Sequence, residues 1–218
     1  MENLNVFIWA FVILFMLVEL PMFAGGFSVA PWVPTSRKDL ERINRVAGLK
    51  PGQVFYDIGC GEGIVCSYMA RHNPQVKIFG FEIAVPLYLV ARLRRLIMIM
   101  RGGKKASGKA KSGVRDLIRQ SLQIQFKDMF KVDFSKADVI YFWGTTRGLI
   151  KLKNKLVEMK KGAKFITYAI EWPGKKAELV DQPSKGDIPI YVYRVGCYSI
   201  VFSSGAFKRM WTFDLGKK

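Results

Sequence analysis

Val54-Phe-Tyr-Asp-Ile-Gly-Cys-Gly-Glu-Gly-Ile-Val65 is the stretch that decides the fold. An apolar run ends in Asp57, glycines follow at the alternate positions 59, 61 and 63, and a second apolar run begins at Ile64. This order reads as a buried strand, a tight turn and the opening of a helix. A glycine turn lets the main chain come within contact distance of a ligand, because no Cβ stands in the way. The helix start behind it adds free N–H groups and a positive dipole end. The spacing G-x-G-x-G is tighter than the G-x-G-x-x-G of dinucleotide binders, and the Lys-Ser/Thr of a triphosphate loop is missing. Asp57 and Glu62 make the turn acidic, which repels phosphates and suits a ligand carrying an amine and a sulfonium.

Working outward, Val76-Lys-Ile-Phe-Gly-Phe-Glu82 reads as a second strand ending in a carboxylate, the position that binds ribose hydroxyls in open α/β sheets. Leu122-Gln-Ile-Gln-Phe126 alternates like a half-exposed strand and runs into Lys127-Asp128-Met129-Phe130. Ala137-Asp-Val-Ile-Tyr-Phe142 is a further buried strand, followed by Trp143-Gly-Thr-Thr-Arg147. Thr35 or Ser36 caps a helix running to Ala47, with Leu40, Ile43 and Val46 inward and Gly48 as its stop. A helix after Gly63 closes at His72, and Pro86 fits the first turn of another reaching about Met100. Residues 101–115, rich in Gly, Ser, Lys and Ala, read as a flexible basic loop. Beyond it the pattern predicts a basic amphipathic helix over Leu149–Met159, a strand over Ala163–Ile170, and late strands at Ile188–Val195 and Tyr198–Phe202. Strands alternating with helices argue a mainly parallel α/β sheet with an antiparallel ending. Gly59, Glu82, Asp128 and Trp143 all fall at expected carboxyl ends of strands, where such sheets bind ligands.

Asp57-Ile-Gly-Cys-Gly-Glu-Gly63, Glu82 and Asp128-Met129 resemble the first three motifs of class I S-adenosylmethionine-dependent methyltransferases. Pro31-Trp-Val-Pro-Thr35, Gly80-Phe-Glu-Ile83 and Phe130-Lys-Val-Asp-Phe134 are similar to a narrower group, the small archaeal and mitochondrial protein-lysine methyltransferases. Mitochondrial members of that group modify the adenine nucleotide translocase and the ATP synthase c-subunit. The resemblance spans roughly Pro31 to Val195 and implies a Rossmann-like, seven-strand methyltransferase sheet with S-adenosylmethionine as cofactor. It implies a cofactor site drawn from Thr35, Tyr56, Asp57, Gly59, Cys60, Gly61, Gly63, Glu82, Ile83, Asp128 and Met129. In it, Asp57 and the turn hold the methionine moiety, Glu82 the ribose, and Asp128 with the Met129 backbone the adenine edge. The basic loop at 101–115 is longer than the family pattern.

The residues after the fourth strand bear on the acceptor side. DNA and RNA adenine methyltransferases of this class usually carry Asn/Asp-Pro-Pro-aromatic there, and this chain has Trp143-Gly-Thr-Thr instead. That disfavours a flipped and gripped base. A lysine amine must be neutral to attack, so a carboxylate and aromatic walls suit it: Glu171, Trp172, Trp143 and Trp32 are the candidates. Each tryptophan has an ordinary alternative as a core or membrane-interface residue.

Composition bounds the rest. A net charge of +18 and a pI near 10.0 favour a polyanionic neighbour: nucleic acid, anionic lipid or an acidic protein. One histidine removes His-rich metal sites and most Ser-His or Cys-His triads, and three cysteines without paired spacing argue against a disulfide framework. Val6–Phe23 is almost wholly apolar, interrupted by Glu19 and Pro21, and about 18 such residues suffice to span a bilayer. A cleaved leader would want a basic start, and residues 1–5 lack one; a core helix would show a polar face. Residues 1–30 are therefore expected to form a transmembrane anchor and 31–218 the catalytic domain. Arg37, Lys38, Arg42 and Arg45 follow the segment and no Lys or Arg precedes it, which puts the body in the cytoplasm.

The expectation is a single-pass, membrane-anchored protein-lysine N-methyltransferase acting on a membrane-associated protein, with the basic surface against lipid. The alternatives are a lipid or small-molecule methyltransferase, or a non-catalytic lipid- or RNA-binding module on the same fold. RNA is disfavoured because the basic loop lacks interleaved aromatics.

Overall fold

The computed structural model describes residues 5–13, 16, 35–102 and 110–195. Its centre is a seven-stranded sheet of order β3-β2-β1-β4-β5-β7-β6. The strands are β1 (Val54–Ile58), β2 (Lys77–Glu82), β3 (Leu122–Phe126), β4 (Val139–Phe142), β5 (Lys164–Tyr168), β6 (Leu179–Asp181) and β7 (Ile190–Arg194). All pairings from β3 through β5 are parallel, and β7 runs antiparallel to both β5 and β6. The chain leaves β1 toward β2 and β3 on one side, then returns to place β4 on the other side of β1. That reversal opens a crevice at the carboxyl ends of β1 and β4.

The α-helices that flank the sheet are α1 (Arg37–Ala47), α2 (Ile64–His72), α3 (Val85–Gly102), α4 (Ala110–Ser121) and α5 (Thr146–Leu156). Ser36 caps α1 by accepting from the Asp39 N–H, and Gly48 ends it in the left-handed conformation at φ 53°. His72 closes α2 with a ring nitrogen 2.9 Å from the Tyr68 carbonyl. Strand alternation sorts the core into two layers. Phe55, Ile78, Ile124, Val139 and Ile166 pack under α1 to α4 on one face. Tyr56, Ile58, Phe81, Ile140 and Phe165 pack under α5 on the other.

Several elements differ from the sequence expectation. Residues 110–115, expected as part of a flexible loop, begin helix α4, which carries Ile118 into the core. Its Ser/Gly/Lys-rich first turn hid a helix held by tertiary packing. Strand β5 stops at Tyr168 rather than Ile170, because Ala169 turns into positive φ (67°). Helix α5 lies about a turn earlier than expected, starting from a Thr145 cap that bonds the Gly148 N–H at 3.1 Å. The exposed three-residue β6 at Leu179–Asp181 has no counterpart in the sequence expectation. The expected strand at Tyr198–Phe202 lies outside the described residues, as does most of the apolar Val6–Phe23 segment. Among the described residues no helix is long and apolar enough to cross a membrane. Residues 5–13 are helical, with Val6, Phe7, Trp9 and Phe11 exposed.

Candidate active site

The glycine turn hangs between β1 and β2. The N–H groups of Gly59 and Cys60 both donate to the Phe81 carbonyl, at 2.9 and 3.0 Å. Gly59, Gly61 and Gly63 all have positive φ, at 83°, 54° and 71°, a region that a side chain would strain. Gly63 has a second reason: a Cβ there would lie 3.1 Å from the Ala91 Cβ, where α3 crosses the start of α2. The turn is therefore both conformationally and sterically committed to glycine, leaving bare backbone facing the crevice.

Glu82 locks this turn. Its carboxylate accepts from the Gly61 N–H at 2.8 Å through one oxygen, and from Ile83 and Ala84 at 2.9 and 2.8 Å through the other. A carboxylate has about four acceptor positions. Those bonds fill most of them, so one good position, on the oxygen facing Gly61, remains for a ligand hydroxyl. Glu82 thus shapes the backbone before it binds anything.

Asp57, at the end of β1, is only 2 % exposed. Burial pushes its carboxyl up to about 7, with the Cys66 thiol opposing the shift and the Glu82 charge adding to it. The thiol donates to Asp57 at 3.3 Å. Burial also pushes the Cys66 thiol well up, and Cys60 is raised, so both stay protonated. Gly80 on β2 makes room for both sulfurs: a Cβ there would lie 2.8 Å from each.

On the β3 side, Asp128 caps a 3-10 turn over Met129–Lys131 by accepting from the Phe130 N–H at 2.9 Å. This brings the Met129 methyl to 3.6 Å from where a Gly59 Cβ would stand. Gly59, Met129, Glu82 and the exposed Ile83 thus gather at one rim. Thr35 lies beside the start of α1, close enough to the Tyr141 phenol to influence it. Tyr56 does not join this group. It points to the opposite face from Asp57, where it packs edge-on against Phe79 and Phe81 at 5.4 and 5.0 Å. Period-2 alternation along β1 accounts for this.

The acceptor-side candidates separate in the same way. Trp143 is half-buried and meets Tyr168 edge-on at 4.7 Å. Trp172 is 4 % exposed and sits edge-on to Phe165 and Tyr193, both at 5.5 Å. Its ring packs in the core under β5 and β7, with the Lys175 ammonium 5.2 Å from its centre. Glu171 beside it is exposed. Trp32 lies outside the described residues.

A buried polar network holds α1 over the strand ends, and sequence reading missed it. Asp39 accepts from Tyr168 at 2.7 Å, from Arg42 at 2.7 Å and from Ser36 at 2.6 Å. Burial opposes the charge on Asp39, yet these bonds together keep its carboxyl below the usual range. Arg42 reaches on to Asp181 at 3.0 Å, to the Asp181 carbonyl, and to the Ile188 carbonyl at 2.9 Å. Helix α1, and with it Thr35, is thereby tied to the far antiparallel end of the sheet. The Asp39/Arg42 pair at i,i+3 was the only signal, and it looks like an ordinary surface pair.

Comparison with known proteins bears on the fold as a whole. No family model matches the chain. A protein-lysine N-methyltransferase of Saccharolobus islandicus (strain REY15A) is 28% identical over 170 residues, covering 76% of this chain and 94% of the relative. An RNA methyltransferase from Salinibacter ruber, solved with S-adenosyl-L-homocysteine, superposes with a TM-score of 0.61 at 22% identity, over 77% of this chain and 96% of the other. An S-adenosylmethionine-dependent O-methyltransferase from Thermotoga maritima gives a TM-score of 0.52 at 14% identity, over 77% of this chain and 69% of the other. The chain has the class I methyltransferase fold.

Proposed function

We propose that this chain is an S-adenosylmethionine-dependent methyltransferase whose acceptor is a protein lysine and which works at a membrane surface. The observation that carries the first part is the rim itself: buried Asp57, turn-locking Glu82 and Asp128 around a glycine turn held open by positive φ. Bare backbone and carboxylates suit a cationic ligand rich in hydrogen-bond donors. When bound, the cofactor supplies a sulfonium methyl that a neutral amine takes up, forming an N–C bond as the C–S bond breaks. The protein's part is to position, to desolvate and to receive a proton. Asp57 and the turn hold the amino-acid end, Glu82 offers its remaining position to a ribose hydroxyl, and Asp128 with the Met129 backbone meets the base. The lysine assignment is supported by the relative from Saccharolobus islandicus and by the absence of an Asn/Asp-Pro-Pro-aromatic motif after β4.

On the acceptor side, Glu171 is the residue able to take up the amine proton, with Trp143 as the aromatic wall. Glu171→Gln is expected to lower kcat at least tenfold with cofactor affinity unchanged. Wild-type turnover would remove it from the mechanism.

Membrane placement rests on two features. One is the apolar stretch Val6–Phe23 with its basic downstream flank, which directs the body to the cytoplasm. The other is α3, where Leu89, Leu93, Leu96 and Met100 are exposed along one face beside exposed Arg92 and Arg101. No Asp or Glu occurs in α3, and this pairing of apolar and cationic groups fits an anionic bilayer surface.

The test is incubation of the purified full chain with isotopically labelled S-adenosylmethionine and native membranes. Label in protein bands, traced to lysine by mass spectrometry, is the expected result. Label only in the lipid extract would favour a lipid methyltransferase. No label together with no cofactor binding would leave a tethered binding module.

A further inference from the structure

Tyr141, Tyr168 and Tyr193 are the largest fully buried side chains among the described residues. Two of their hydroxyls are paired: Tyr168 donates to Asp39 at 2.7 Å, and Tyr193 accepts from the Trp172 N–H at 2.6 Å. The third is not. Tyr141 is 2 % exposed, yet among the described residues its hydroxyl has no hydrogen-bond partner, a condition shared only with Ser121 at the end of α4. The Thr35 side chain is near enough to hold the phenol's rise back, yet lies outside hydrogen-bond geometry.

The position of this open hydroxyl matters. Tyr141 pairs in register with Asp57, the residue just ahead of the glycine turn. It shares the α1/α2 face of the sheet with Tyr168 and the half-buried Trp143. Burial and the charges of Asp57 and Asp39 push its phenol well up, so it keeps its proton and acts as a donor. A buried donor left unmade costs stability, and phenylalanine would fill the same space without that cost. Hydroxyls kept under such conditions call for an explanation, and a ligand group is the direct one.

Given the S-adenosylmethionine site proposed for this crevice, on which this rests, we infer that Tyr141 belongs to the ligand site: its hydroxyl donates to the carboxylate of the cofactor's amino-acid end, with Thr35 beside it. The ammonium of the same end then faces the Asp57 carboxylate. An O–H donor and an anionic acceptor, side by side and away from water, match the two charges of an α-amino acid.

The test is Tyr141→Phe in the full chain, titrated by calorimetry with S-adenosylhomocysteine, with its decarboxylated analogue and with 5′-methylthioadenosine, which lacks the whole amino-acid end. Affinity for S-adenosylhomocysteine is expected to fall about tenfold, while the other two ligands bind as they do to wild type. The urea midpoint of the ligand-free variant is expected to equal or exceed that of wild type. Three results would overturn the inference: unchanged S-adenosylhomocysteine affinity, an equal loss for all three ligands, or a lowered ligand-free midpoint, which marks the hydroxyl as structural. Wild type that binds none of the three would instead remove the S-adenosylmethionine site, and this inference with it.

Discussion

Replacing Asp57 by asparagine should make the ligand-free protein more stable and the cofactor site worse. Asp57 is almost fully buried, and burial raises its carboxyl from 3.8 to about 7. The sign comes from linkage. Between about pH 4 and pH 7 the folded state holds a proton that the unfolded chain has released. Stability therefore falls as pH rises through that window and levels off above it. A shift of roughly three units at about 1.36 kcal/mol each corresponds to about 4 kcal/mol, present at low pH and lost by pH 8. Asparagine keeps the size and cannot ionise, so Asp57→Asn should gain up to about 4 kcal/mol over wild type at pH 8 and nothing at pH 4. Urea unfolding of the ligand-free protein at pH 4.5, 6 and 8 measures this, with m-values compared to check that both proteins unfold alike. Calorimetry at pH 8 should show affinity for S-adenosylmethionine at least tenfold lower, because the ammonium loses its counter-charge. The reasoning is refuted if the variant is less stable than wild type at pH 8, or if wild-type stability is level across the window.

Two further substitutions test what holds the rim in place. Gly80→Ala sets a Cβ 2.8 Å from the sulfurs of both Cys60 and Cys66 and 2.9 Å from the Ile124 methyl. It should cost about 1–3 kcal/mol in urea unfolding, with partial recovery when Cys66→Ala is added. Arg42→Met leaves the buried Asp39 without its cation and removes one of two from the half-buried Asp181, which keeps Arg45 at 3.1 Å. A loss of about 3–5 kcal/mol is expected, seen as a lowered midpoint, and cofactor affinity should fall with it as the Thr35 end of α1 loosens. An unaltered midpoint would mean the network does not bear on stability.

What the chain determined by itself is local. The strand–turn–helix at Val54–Val65 and the carboxylates at the ends of β1 and β2 were readable because each depends on a few neighbouring residues: period-2 runs and glycines needing positive φ. The same patterns gave the order of strands and helices apart from α4 and β6. Tertiary structure decided what local pattern leaves open. Alternation says that Tyr56 and Asp57 look opposite ways, but only the packed helices tell which face carries the site. Trp172 could wall a pocket or fill a core until Phe165 and Tyr193 were seen against it. The first turn of α4 is helical because Ile118 has a core to enter, and β6 exists because β7 offers it an edge. The buried polar groups are the clearest case. Asp39 meets Tyr168 across 129 positions of sequence and Arg42 meets Asp181 across 139, while the Tyr141 hydroxyl meets no partner among the described residues. A buried donor or acceptor must find its partner wherever the fold brings one, and which of them are satisfied and which are left open is a property of the assembled core alone.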